Sequence, residues 1–156
     1  MYLHDWADGG FFEMVMDFED VFITKAEFEA EECPWKNFEM WQESKAKAVL
    51  ALADHKYQGV EILLASYTNE CYSGDAFVLF RQDGKLYEVN GSHCSCFGLE
   101  GQWKPEETTI EAIRARAVSG ELGAGYIGDE VNVFRDELLA ILDTTAPAPG
   151  QEGGAK

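Results

Sequence analysis

The sequence predicts an α+β domain in which about four helices cover one face of a small antiparallel sheet. Two apolar runs rich in β-branched and aromatic residues are bounded by polar turn residues, and the pair Asp83-Gly84 marks a hairpin after the second run. Two Thr-x-x-Glu sequences, each able to cap the start of a helix, precede helical stretches. The length of 156 residues and the hydrophobic content of 46% fit one compact acidic domain, which we place at residues 1–143.

The segment from Phe11 to Ile23 favours one further strand at the N-terminal side of the sheet. Its apolar residues Phe12, Met14 and Met16 follow the period of a half-buried strand. The same segment carries the first acidic cluster, formed by Asp17, Glu19 and Asp20.

Two helices are predicted before the central strands. Thr24 and Glu27 form a capping box, and the helix that begins there should be short because Pro34 interrupts it. A longer helix follows to about Lys56, and Gly59 ends it. One face of this helix carries Phe38, Trp41, Lys45, Ala48 and Leu52.

The centre of the chain predicts a three-stranded antiparallel meander. The runs from Val60 to Tyr67 and from Ala76 to Arg81 have the composition of strands. Asp83-Gly84 then turns the chain into a third strand, from Lys85 to Val89.

The C-terminal third predicts two more helices and a tail. Thr108 and Glu111 form the second capping box, so a helix should cover about Ile110 to Val118. A glycine-rich connection leads to a closing helix from Glu130 to Leu142. The small residues, prolines and glycines of residues 144–156 predict a disordered tail.

The predicted loop after the hairpin concentrates reactive side chains at His93, Cys94 and Cys96. Imidazole and thiolate are zinc ligands, and Cys71 can join them if the hairpin brings it close. The set lacks the paired Cys-x-x-Cys spacing of a zinc ribbon, so no cofactor is predicted apart from this zinc alternative. The competing interpretation is structural: Cys94 and Cys96 fill small apolar spaces and His93 bonds a backbone carbonyl.

A Cys/His hydrolase is a third interpretation of the same loop. The nucleophile would be Cys94 or Cys96, activated by His93 or His55 as the base. An acid such as Asp75 or Glu100 would orient that base. Neighbouring residues such as His93 and Cys94 diverge along an extended backbone, so the pattern favours this chemistry only weakly.

The charge of the chain restricts its partners. With 29 acidic and 12 basic residues, the formal net charge is −17, which argues against direct binding of nucleic acid or of an anionic membrane surface. Such charge can instead steer the protein onto a basic protein surface, with aromatic side chains as anchors. The residues expected to contact a partner of this kind are Asp17, Glu19, Asp20, Glu27, Glu29, Glu31, Glu32 and Trp35. In the alternative interpretation, the aromatic residues are core and the acids are a solvated face.

The N-terminal residues are acidic and aromatic, which is not the pattern of a secretory signal. We therefore expect a cytoplasmic protein with reduced cysteines. No apolar run approaches the roughly 20 residues that span a bilayer, so no membrane segment is predicted.

The segment from Tyr72 to Thr109 resembles a family of small uncharacterised proteins encoded by bacteriophages and prophages. The resemblance rests on the strand AFVLF, the hairpin DGKLYEV, the loop GSHCSCFGLEGQW and the segment PEETT, and it covers about a quarter of the chain. It implies the cytoplasm of an infected bacterium, where small acidic phage proteins often bind host machinery. The expected function is therefore non-enzymatic binding of a host protein with a basic surface. Dispersed carboxylates can imitate the charge spacing of nucleic acid and so inhibit a restriction or CRISPR system.

Overall fold

The computed structural model describes residues 1–19, 55–123 and 133–145. Within these ranges, five strands form one mixed sheet: β1 Tyr2–His4, β2 Glu61–Tyr67, β3 Gly74–Gln82, β4 Lys85–His93 and β5 Glu106–Glu107. The same ranges contain three α-helices, α1 Gly10–Glu19, α2 Ile110–Ser119 and α3 Arg135–Thr144, and a short 3₁₀ helix at His55–Tyr57. The α+β class is confirmed, with more strands and fewer helices in these ranges than predicted.

The spatial order of the strands follows the chain, from β1 at one edge to β5 at the other. Strand β1 is parallel to β2, and each later pair is antiparallel. The predicted meander corresponds to β2, β3 and β4, and is confirmed. None of the helices in the described ranges is long and apolar enough to cross a membrane.

Strand β4 is longer than predicted and takes the first part of the predicted loop into the sheet. It pairs with β3 along its whole length, from Lys85 opposite Gln82 to His93 opposite Gly74. Gly91 lets Leu99 pack closely against this strand, since an added Cβ atom would lie only 3.1 Å from the Leu99 side chain. His93 is therefore a strand residue, and not a loop residue as predicted.

The prediction of a strand over Phe11 to Ile23 is wrong for the residues that the structure describes. Residues 10–19 form helix α1, and the N-terminal strand is β1. The reason is a helical period in the same residues, since Met14, Val15 and Phe18 are all buried in one cluster. The alternation of Met14 and Met16 is a by-product of a helix whose buried face is wide.

Both faces of the sheet are covered by helices, whereas cover on one face was predicted. Helix α1 packs on one face in a cluster with Ala65, Val78 and Phe80. Helices α2 and α3 pack on the other face in a cluster with Leu64, Phe77 and Leu79. Residues 76–80 of β3 are all buried, and a strand that is apolar on both faces requires a layer on each side.

Helix α2 occupies the predicted range, but Thr109 caps it instead of Thr108. The hydroxyl of Thr109 accepts a hydrogen bond from the N–H of Ala112 at 3.1 Å. The side chain of Thr108 bonds Glu88 of the sheet instead. The two threonines are adjacent, and the bond of Thr108 to the sheet leaves Thr109 to cap the helix.

Glu88 and Arg116 join the sheet to α2 in a largely buried ion pair, with 2.5 Å between Arg116 Nη2 and Glu88 Oε2. The other carboxylate oxygen accepts from Asn90 Nδ2 at 2.8 Å. Burial alone would raise the pKa of Glu88, but the bonds from Arg116, Asn90 and Thr108 outweigh it and lower that pKa.

The remaining boundaries differ from prediction in small ways. Helix α3 begins at Arg135, later than the predicted Glu130, and continues through Thr144, one residue into the predicted tail. Residues 146–156 lie outside the described residues, as do the predicted helices between Thr24 and residue 54. Where the second of those helices was predicted to end, the chain forms the 3₁₀ helix.

Candidate partner-binding site

Three chain segments meet at one end of the sheet. Because β1 is parallel to β2, both strands finish there, β3 begins there and β4 finishes there. The segments that extend from these strands are residues 4–9, 67–75 and 93–101. We call them together the acidic end.

The first turn of the acidic end is a tight hairpin between β2 and β3. Glu70 and Ser73 exchange both backbone hydrogen bonds, at 2.7 and 3.0 Å. Its two central residues have positive φ, 50° for Cys71 and 67° for Tyr72, as a type I′ turn requires. Tyr72 is 81% exposed. A bulky aromatic residue is thus held in solvent in a backbone conformation that favours glycine.

The second turn follows β4 and presents Phe97. The N–H of Cys94 donates to the carbonyl of Phe97 at 3.0 Å, and the N–H of Cys96 lies 3.3 Å from Cys94 Sγ. The Cys96 N–H lowers the pKa of the Cys94 thiol, with a smaller contribution from that of Phe97. Phe97 is 51% exposed. Ser73 directly precedes Gly74 and Cys94 directly follows His93, and Gly74 pairs with His93, so the two turns are neighbours.

The second turn is attached to the sheet edge through Gln102. The amide nitrogen of Gln102 lies 2.7 Å from the carbonyl of Ser92 and 2.7 Å from that of Gly98. Its amide oxygen accepts from the N–H of Ser92 at 2.9 Å. The side chain therefore replaces a strand residue beside β4 and holds the turn in place.

His93 connects the segment before the second turn to the segment before the first. Its Nε2 atom lies 2.6 Å from the carbonyl oxygen of Thr68, so the ring donates to that carbonyl in the tautomer that carries the proton on Nε2. A Cβ atom at position 74 would lie 1.8 Å from the same oxygen and 2.7 Å from the His93 ring. Gly74 is thus required for this close approach, and the structural interpretation of His93 fits the geometry.

Stacked aromatic side chains support the acidic end. Tyr67 stacks on His93 with centroids 4.6 Å apart and on Trp6 with centroids 5.4 Å apart. The indole N–H of Trp6 donates to Asp17 Oδ2 at 2.6 Å. Burial raises the pKa of Asp17, and the Trp6 bond only partly opposes it. Burial also raises the pKa of Tyr67, and Asp17 and Asp5 add to the effect.

The charge of the acidic end has one sign. Its three segments contain no lysine and no arginine. Their carboxylates, all on exposed residues, are Asp5, Asp8, Glu70, Asp75 and Glu100. A surface of this kind repels anions and attracts cationic groups over roughly a Debye length, about 8 Å at physiological salt.

Of the residues predicted to contact a partner, the structure describes Asp17 and Glu19. Asp17 accepts the Trp6 bond, and Glu19 accepts from the hydroxyl of Tyr57 at 2.6 Å and forms an ion pair with Lys56. Both carboxylates therefore have structural partners within the protein. The other predicted contacts lie outside the described residues: Asp20, Glu27, Glu29, Glu31, Glu32 and Trp35.

The residues of the zinc alternative lie at one end of the sheet but do not converge. In the described ranges, no three His, Cys, Asp or Glu side chains are placed to hold one metal ion. His93 is directed to the Thr68 carbonyl, while Cys71 and Cys96 are exposed on separate turns. The structural interpretation expected Cys96 to fill an apolar space, but Cys96 is exposed. Zinc binding gains no geometric support from these contacts.

The residues of the hydrolase alternative are also dispersed. His55 precedes β2 and lies at the opposite end of the sheet, where Gln82 bonds the carbonyl of its neighbour Lys56. The Nε2 atom of His93 contacts a backbone carbonyl, and the thiol of Cys94 contacts the N–H of Cys96. No contact between a cysteine and a histidine supports a nucleophile–base pair in the described residues.

Comparison with known proteins gave no match to a protein-family model, to a curated protein or to a solved structure. The site must therefore be interpreted from its own chemistry. Sequence reasoning missed Tyr72 and Phe97 as exposed residues. The available signal was their position, since each stands beside turn-forming residues and outside the alternation of a strand.

Proposed function

We propose that this protein is a phage-encoded, non-enzymatic binder of a host protein with a basic surface, and that the acidic end makes the contact. The observation that carries the proposal is Tyr72, an aromatic side chain 81% exposed on a turn whose backbone favours glycine. Non-glycine residues in the left-handed region cost of order 1–3 kcal/mol and are found where function maintains them.

The chemistry of the acidic end fits one class of partner. Tyr72 and Phe97 offer exposed aromatic area on its two turns, and aromatic residues dominate the binding energy of protein interfaces. The surrounding carboxylates lack basic neighbours in the same segments, so they are available to lysine and arginine side chains of a partner. Long-range attraction would accelerate association, and the aromatic anchors would slow dissociation.

The resemblance of residues 72–109 to phage proteins supports a host protein as the target. A basic surface that is built for nucleic acid, such as that of a restriction or CRISPR effector, offers the cationic groups that the acidic end requires. Imitation of nucleic acid would then block the effector by occupying its channel. The net charge of −17 supports this mode of binding.

The test is affinity capture from a bacterial lysate with four purified forms of the protein. These are the wild type, the double variant Tyr72→Ser/Phe97→Ser, the charge variant Glu70→Lys/Asp75→Lys, and the control Val118→Ser. Val118 is 67% exposed on α2, so its variant removes exposed apolar area away from the acidic end. Mass spectrometry quantifies the bound proteins at low and moderate salt.

We expect a salt-sensitive partner that the wild type and Val118→Ser retain and that the other two variants lose. Equal capture by all four forms would contradict the assignment of the surface. Loss of the partner only after charge reversal at Glu27, Glu29, Glu31 and Glu32 would move the contact to the N-terminal acids predicted from sequence.

A further inference from the structure

A second surface lies between strand β1 and helix α3. The two elements run in opposite directions. His4 Nε2 lies 3.3 Å from the carbonyl of Val133, just before α3, while Met1 lies beside residues of the helix itself, from Asp136 to Thr144. Between them is an open hollow of about 450 Å³, lined by Met1, Asp136, Glu137, Ala140, Ile141 and Thr144. We call it the α3 hollow.

The outer edge of β1 presents backbone groups beside this hollow. Met1 and Asp5 direct their backbone groups at β2, since the Met1 carbonyl accepts from Ala65 and the Asp5 N–H donates to Tyr67. Successive residues of a strand alternate, so Tyr2 directs its N–H and carbonyl outward. Within the described residues, β1 is the edge of the sheet, and no described residue bonds these two groups of Tyr2.

A buried carboxylate oxygen provides independent evidence for a ligand. Oε2 of Glu137 is buried and has no hydrogen-bond partner among the described residues. A position in the first turn of α3 explains why an acid stands there, because carboxylates stabilise helix N-termini. It does not explain why one oxygen is withdrawn from water without a donor, which is an unfavourable arrangement.

We propose that the α3 hollow binds an extended peptide segment that adds a strand to β1. The outward N–H and carbonyl of Tyr2 would bond the peptide backbone. One apolar side chain would fill the hollow beside Met1 and Ile141. One arginine or lysine side chain would donate to the carboxylate of Glu137, which lines the hollow and would turn its buried oxygen toward the donor.

The spacing of the two elements supports both contacts at once. Side chains at i and i+2 of a strand point to the same face and lie roughly 6.6 Å apart. Glu137 and Ile141 are four residues apart on α3, which corresponds to about 6 Å along a helix axis. An apolar and a basic side chain separated by one residue therefore match the two ends of the hollow. The apolar residue comes first in a peptide parallel to β1 and second in an antiparallel one.

The probes are two fluorescein-labelled, amidated peptides, Thr-Val-Thr-Arg-Thr and Thr-Arg-Thr-Val-Thr, which represent the two directions. Their affinities are measured by fluorescence polarisation against the whole chain. We expect one of the two to bind with a Kd below about 1 mM and the other more weakly. Replacement of arginine by glutamate in the better peptide should abolish binding.

Matched variants locate the binding. Ala140→Arg fills the hollow and should abolish binding, while Ala115→Arg places the same change on the exposed surface of α2 and should not. Glu137→Gln should weaken binding about tenfold or more, and the exposed control Glu121→Gln should have little effect. Circular dichroism checks that each variant is folded, which is expected because Ala140 is itself exposed.

A spectroscopic measurement separates strand addition from general attraction to an acidic protein. The bound peptide should slow hydrogen exchange at the Tyr2 amide, and a peptide with N-methylated backbone amides should not. Absence of binding by both peptides up to about 1 mM would overturn the proposal. So would equal binding to Ala140→Arg and Ala115→Arg. Neither result depends on the acidic end, because the probes are synthetic peptides and not a captured host protein.

Discussion

Replacement of Cys71-Tyr72 by Asn-Gly should stabilise the protein and weaken its binding to the partner. The two residues have positive φ in a turn for which Asn-Gly is the preferred sequence. Relief of the backbone strain at the two positions gains roughly 2 kcal/mol, because asparagine tolerates positive φ and glycine adopts it freely. The greater freedom of glycine in the unfolded chain returns about half of this gain. A net gain of about 1 kcal/mol raises the Tm of a chain of this size by about 3 °C.

The loss of affinity follows from the exposure of Tyr72. An aromatic side chain offers roughly 200 Å² of surface. With 81% of Tyr72 exposed, about 160 Å² is available to a partner, or about 4 kcal/mol at most. If half of that area is buried, the variant loses about 2 kcal/mol, which is about 30-fold in Kd.

Thermal unfolding and titration with the captured partner measure the two effects. The hairpin at the opposite end of the sheet provides the control, because Gly84 has φ of 76° in the same type of turn. Gly84→Tyr should lower the Tm and leave the affinity unchanged. A lower Tm for the Asn-Gly variant would refute the argument from backbone strain, and an unchanged affinity would refute the role of Tyr72.

Three further predictions concern close contacts within the fold. Gly74→Ala should destabilise the fold by about 2 kcal/mol or more in urea unfolding, because the added Cβ would lie 1.8 Å from the Thr68 oxygen. The pKa of Glu88 is lowered on folding, so this carboxylate contributes stability that is present above its unfolded pKa of 4.5 and is lost as pH falls through the folded pKa. Glu88→Gln and Arg116→Met should each remove this contribution from the pH dependence of the free energy of unfolding. The pKa of Asp17 is raised on folding, so its effect on stability runs the other way: the contribution is present below pH 3.8 and is lost as pH rises through the folded pKa. Asp17→Asn should therefore be more stable than wild type at pH 7 but not at pH 3.5.

Local sequence signals were sufficient for the meander. Residues 61–67 and 74–82 are strands whose composition is β-branched and aromatic, and Asp83-Gly84 specifies its own turn. The helical period of α1 was present in the sequence, but the shorter alternation of Met14 and Met16 concealed it. Burial of Val15 together with both methionines is a tertiary fact, and no local pattern distinguishes it.

The candidate site was harder to predict because its geometry is set by non-local pairing. Nothing in the sequence of Cys71-Tyr72 indicates positive φ, since neither residue favours it. The turn forms because β2 and β3 are paired on both sides of it. The sequence did indicate the loop around His93 as unusual, but the partner of that histidine is the Thr68 carbonyl, 25 residues earlier in the chain.

The parallel pairing of β1 with β2 has a consequence for the order of folding. The meander closes through short turns, whereas β1 pairs Tyr2 with Ala65, so the partners are 63 positions apart in the chain. Closure of a loop of this length costs entropy before any contact repays it, and such pairings form late. We expect β2, β3 and β4 to be protected from hydrogen exchange early in refolding and β1 to be protected last. Strand β1, the edge to which a peptide would add, is then the last part of the sheet to form. Its local unfolding should cost less free energy than that of β2, β3 or β4.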